Sequence, residues 1–135
     1  LIRLRKGHPV FLRSEFLTGA ASGDRRKPDI CWYNAQGESP DWNQPSAFLA
    51  YFLDGSTAET RAERDDNSFY IMLNGGGFDI TATLCPPPHG KQWYRLIDTS
   101  YPAGEDFAEQ GLAPLLENQS KYVVLAASAV VLILK

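Results

Sequence analysis

The sequence is poor in the residues that build metal and redox centres: its 135 residues include two cysteines, two histidines and one methionine. Cys31 and Cys85 have no C-x-x-C spacing and no histidine beside them, which argues against a zinc site or a thiol-exchange motif. Both read as plain buried thiols of a reducing compartment, with a cross-strand disulfide left open. Acidic spacing misses the EF-hand pattern, and Asp65-Asp66 reads as the tip of a solvated loop. No metal ligand and no cofactor are expected.

Strong charge is also absent. The formal net charge of −3 gives no general attraction to nucleic acid or to an anionic membrane, so neither is an expected partner. No apolar run reaches the ~18 residues of a membrane span. The longest, Tyr122 to Leu134, is interrupted by Ser128. A soluble cytoplasmic protein is the expectation.

Catalytic patterns are missing too. His8 and His89 lie in a helix end and a proline-rich turn, away from any G-x-S-x-G elbow, and read as cap and turn residues. The glycines of Asn74-Gly75-Gly76-Gly77 lead into a strand pattern rather than a Lys-Ser/Thr helix start, so a phosphate loop gives way to a hairpin whose residues supply positive φ. Asp29, Asp41, Asp54, Asp79 and Asp98 flank strands or turns, where capping hydrogen bonds account for them. No catalytic residue is assigned.

What is present is a 44% hydrophobic chain, long enough for one domain with its own core. Residues 1–6 repeat at helical period, and Gly7 and Pro9 end that helix. Under two turns cannot stand alone, so the segment reads as the end of a longer helix. The first 28 residues hold seven basic and two acidic side chains against six and fourteen in the rest, which marks the opening as different in character.

From residue 28 onward the pattern is that of short strands separated by turn signals, 29–33, 47–53, 69–73, 78–84, 92–97, 122–125 and 129–134, of which 78–84 alternates with period two. The run 47–53 is apolar on both faces and reads as a central strand covered on both sides. Residues 99–120 form a long connection of the kind that is functional or docked. About seven short strands argue for an all-β protein, an antiparallel β-sandwich.

Aromatics are the remaining functional class. Trp32 and Trp93 lie within strands and read as core, whereas Trp42 follows Pro40-Asp41 in a loop. A large ring there plugs a domain interface or meets a ligand, and the interface is favoured.

Leu1-Ile2-Arg3-Leu4-Arg5-Lys6-Gly7-His8-Pro9-Val10-Phe11, Asp29-Ile30-Cys31-Trp32, Ser39-Pro40-Asp41-Trp42, Phe48 to Leu53, Phe69 to Asn74, and Leu115-Leu116-Glu117-Asn118-Gln119 follow one another in order. Together they resemble the C-terminal region of isoamylase-type glycogen and starch debranching enzymes of the α-amylase superfamily. The compact Ser39–Trp42 turn resembles the plant-type enzymes more, and Asn74-Gly75-Gly76-Gly77 departs from the family's usual Asn-Ala turn. The resemblance implies that residues 1–27 are the end of the last helix of a catalytic (β/α)8 barrel plus a linker. Residues 28–135 would then be a C-terminal β-sandwich that packs on that barrel.

It also implies that the catalytic carboxylates lie upstream, in an enzyme that hydrolyses α-1,6 branch points in glycogen or amylopectin-like glucan. Trp42 would face the barrel or the glucan. The rival is a carbohydrate-binding module contacting α-glucan through exposed aromatics. A third reading, an immunoglobulin-like adhesion domain, requires a core disulfide between Cys31 and Cys85.

Overall fold

The computed structural model describes residues 1–13, 16–20, 28–56, 66–109 and 111–135. Among these residues a short helix, α1 (Ile2–Gly7), and a 3-10 turn (Pro9–Phe11) precede seven strands: β1 (Ile30–Tyr33), β2 (Phe48–Leu53), β3 (Ser68–Asn74), β4 (Ile80–Thr83), β5 (Trp93–Asp98), β6 (Lys121–Val124) and β7 (Ser128–Leu134). Every expected strand forms within two residues of its expected span. The protein is an all-β sandwich, with an antiparallel five-stranded sheet in the order β1-β2-β3-β7-β5 facing an antiparallel pair, β4-β6. Among the described residues no helix is long and apolar enough to cross a membrane.

Two-residue alternation sorts the side chains of the large sheet into two apolar faces. Inward, Phe48, Ala50, Phe52, Tyr70, Met72, Val130, Leu132, Leu134 and Trp93 pack against Ala82, Leu84 and Val124 of the small-sheet side. Outward, Leu53, Phe69, Ile71 and Ile133 form a second cluster with Val10, Leu96, Ile97 and Ala113. Leu96 and Ile97 both belong to it because the ladder between β5 and β7 slips there, a bulge that turns consecutive residues to one face. The double-sided apolar pattern of β2 thus marks a sheet with two apolar faces, the inward one covered and the outward one covered only in part, since Leu49 and Tyr51 stay half-buried.

The connection after β5 docks as expected. It runs along the free edge of β5, with bridges from Ile97 to Phe107 and from Tyr94 to Leu115.

The glycine-rich turn differs from the expected hairpin. β3 pairs with β2 and β7 while β4 pairs with β6, so Asn74 to Gly77 carries the chain from one sheet to the other. Nor do its glycines adopt positive φ. Gly76 is needed for space, since a Cβ there would lie 3.2 Å from the Ala47 methyl and 3.2 Å from Asn74 Oδ1.

Asn74, 2% exposed, clamps the crossing: its Nδ2 donates to the carbonyls of Phe78 (2.9 Å), Val124 (3.1 Å) and Leu125 (3.0 Å), and its Oδ1 accepts from Gly76 N (3.0 Å). Asn74→Asp turns the donor into a carboxylate facing three carbonyl oxygens. The expected loss is at least about 2 kcal/mol in thermal or urea unfolding. An unchanged midpoint would show that the clamp is dispensable.

Candidate functional site

Among the described residues, no three His, Cys, Asp or Glu side chains gather in a way that could hold a metal ion. His89 is exposed in the proline-rich turn. His8 caps the end of α1 as expected, yet it is buried, with Nδ1 2.5 Å from Asp66 Oδ1 and its ring edge-on to Phe69 at 4.8 Å. Asp66 is therefore not a solvated loop tip: its other oxygen accepts from Val10 N (3.2 Å), while Asp65 lies outside the described residues. Gly55 helps to place it. Asp66 N donates to Gly55 O (2.7 Å), and a Cβ on Gly55 would lie 2.2 Å from the Asn67 carbonyl oxygen.

The flanking aspartates act largely as turn acceptors, Asp41 for Asn43 N, Asp54 for Ser56 N and Asp98 for Ser100 N. Asp29 does more. Its buried carboxylate accepts from Thr18 N, Gly19 N and Ile30 N at 2.8–2.9 Å and from Arg13 Nη1 at 3.3 Å, tying the opening segment to β1. Burial pushes its pKa up, but the three N–H donors and the guanidinium outweigh that and hold it below 3.8.

Cys31 and Cys85 are half-buried rather than fully buried and form no disulfide, so the adhesion-domain reading loses its core bond. Tyr33 Oη lies 4.0 Å from Cys85 Sγ. Burial, followed by the neighbouring sulfurs, pushes that phenol well above the usual tyrosine range.

The distinctive surface is the outward face of the large sheet. One row crosses all five strands through paired positions, Trp32, Tyr51, Ile71, Val131 and Ile97. Ile71 and Ile97 are buried, but the last four of these residues still line an open hollow of about 580 Å³ with Leu1, Ile2, Leu4 and Phe11. Leu1 (79% exposed) and Ile2 (75%) leave the apolar side of α1 open.

Trp32 belongs to this face and not, as its strand position suggested, to the core: it is 38% exposed. Its ring packs 5.1 Å from Tyr51 and, edge-on, 5.9 Å from Trp42, which is itself 67% exposed. Trp93 alone of the three tryptophans is fully buried. The structure thus joins Trp42 to an apolar strip through Trp32 and Tyr51. Sequence reading missed the strip because its members come from five strands, although the double-sided pattern of β2 was its local signal.

The family model of the isoamylase C-terminal domain matches residues 29–133. An isoamylase of Pseudomonas amyloderamosa is 35% identical over 103 residues, covering 73% of this chain and 12% of the relative. The chloroplastic isoamylase 3 of rice is 29% identical over 115 residues, covering 83% and 12%. A glycogen operon protein GlgX homolog of Mycobacterium tuberculosis is 32% identical over 112 residues, covering 76% and 15%. The chain spans only about an eighth of the length of these relatives. A two-sheet sandwich with an apolar outward strip and a matching family model over most of its length identify this chain as a member of the isoamylase C-terminal domain family.

Proposed function

We propose that this chain is the C-terminal accessory domain of a debranching hydrolase acting on α-1,6 branch points of glycogen or an amylopectin-like glucan. It contributes no catalytic carboxylate; its task is to seat the rest of the polypeptide, a (β/α)8 catalytic barrel. The observation that carries this reading is the outward apolar strip, continuous from Trp42 through Trp32 and Tyr51 to the hollow beside α1. Exposed apolar strips of this kind mark association surfaces, and burying each large side chain stabilises by about 1.5–3 kcal/mol. Trp42 is on this reading an interface residue.

Leu73, 41% exposed on the same face, and Trp42 provide the test, because neither is buried within the chain itself. The double variant Trp42→Asp, Leu73→Asp should leave the melting temperature of the 135-residue chain nearly unchanged and lower that of the full-length polypeptide by several degrees. Equal melting temperatures for the full-length variant and wild type would overturn the seating role. Incubated alone with branched glucan, the chain should release no reducing ends.

A further inference from the structure

Between β5 and β6, two adjoining hollows of about 460 and 360 Å³ share a wall formed by Tyr101, Tyr122 and Val123. We infer that this groove, between the turn after β5 and strand β6, is a contact site for an uncharged α-glucan chain. The inference deepens the glucan-debranching reading and rests on it for the choice of sugar.

The groove is held in shape by bonds within its own walls. The Arg95 guanidinium lies 4.0 Å from the Tyr101 ring centroid and donates to the Glu105 carbonyl (3.2 Å), which fixes the ring's orientation while 43% of Tyr101 stays exposed. Tyr122 Oη donates to Asp98 Oδ2 (2.6 Å), and Ser100 Oγ donates to Asp98 Oδ1 (2.6 Å). Burial, then this bond to Asp98, raises the Tyr122 phenol far above the ordinary tyrosine range, so it stays neutral. Such rings offer a flat apolar face with a polar rim, the counterpart of a pyranose with its C–H face and equatorial hydroxyls.

Charge selects the ligand class. Arg95 and Lys121 are matched by Asp98 and Glu117, so the groove favours neither a phosphate nor a cation. Glu117 and Lys121 make no side-chain hydrogen bond to another described residue, and Asn118 Oδ1 is taken by Ser120 N and Lys121 N, which leaves its Nδ2 as a donor. The groove's size is that of small-ligand sites. None of its residues lines the outward hollow, so a glucan held here leaves the strip proposed for docking uncovered.

Titrating the 15N-labelled 135-residue chain with maltoheptaose should shift the amides of Arg95, Tyr101, Asn118 and Tyr122. Tyr101→Ala should weaken binding about tenfold at an unchanged melting temperature. Shifts confined to Trp32 and Trp42, no shifts, or a response to inorganic phosphate in place of maltoheptaose would each overturn the site. In the full-length polypeptide, Tyr101→Ala should raise KM for glycogen and leave kcat unchanged. Wild-type cleavage with an unaltered KM in the variant overturns the groove and spares the debranching reading. Absence of wild-type cleavage removes the debranching reading, and the maltoheptaose titration then still decides the site.

Discussion

Replacing Trp93 by alanine should lower the unfolding free energy by about 3–5 kcal/mol in urea denaturation, among the larger effects open to a single side chain. Trp93 has no exposed surface and sits 5.8 Å from the ring of Tyr70 and 6.3 Å, edge-on, from that of Phe52. Its Nε1 donates to the Cys85 carbonyl (2.8 Å), which secures the proline-rich segment against the core. The backbone is held as firmly: Trp93 N donates to Gln119 Oε1 (2.6 Å) and Gln119 Nε2 returns a bond to Trp93 O (3.1 Å). Trp93→Phe keeps most of the ring volume and loses only part of the packing and the Cys85 bond, so its cost should fall well below that of alanine. A loss under about 1 kcal/mol for Trp93→Ala would mean that the core closes around the gap or that this ring is not at its centre.

The second large effect is expected at Asp29. Asp29→Ala leaves three backbone N–H groups and the Arg13 guanidinium, itself only 11% exposed, without their common acceptor. Removing one partner of a buried ion pair typically costs about 3–5 kcal/mol. The same carboxylate sets a pH dependence. Its folded pKa lies below the usual aspartate range, so the unfolded chain binds the proton more readily and stability falls as the solution is acidified. The contribution is complete at neutral pH, begins to fade near pH 4 and is lost as the pH drops through the folded pKa. Urea midpoints of the wild type should therefore fall more steeply below about pH 4 than those of Asp29→Asn. Parallel pH profiles for the two proteins would show that Asp29 does not carry the effect.

Much of the fold was legible along the chain. Short strand-type runs separated by turn residues located all seven strands, and the apolar runs Phe48–Leu53 and Phe69–Leu73 announced a sheet with two apolar faces. Local chemistry also placed the turn acceptors, because an Asn or Asp side chain reaches backbone donors two residues on. The candidate surface was legible only in its most exposed member, Trp42, whose loop position separates it from the core.

Pairing between distant strands was not legible. Asn74 to Gly77 reads as a hairpin because local turn preference is the same whether the next strand returns to its neighbour or crosses to the facing sheet. Asp66 reads as solvated because its partner, His8, is 58 residues away. Trp32 reads as core because strand period gives alternation but not which side faces the second sheet.

Composition and periodicity by themselves determined an all-β chain of seven strands and argued against metal, phosphate-loop and nucleic-acid chemistry, since those conclusions depend on residue type and nearest-neighbour spacing. Strand order, which side of each strand faces out, and hence the assembly of Trp32, Tyr51, Ile71, Val131 and Ile97 into one surface were decided only by the tertiary structure. The physical reason is that register across a sheet is fixed by the summed packing of non-local side chains, a quantity that no single segment carries.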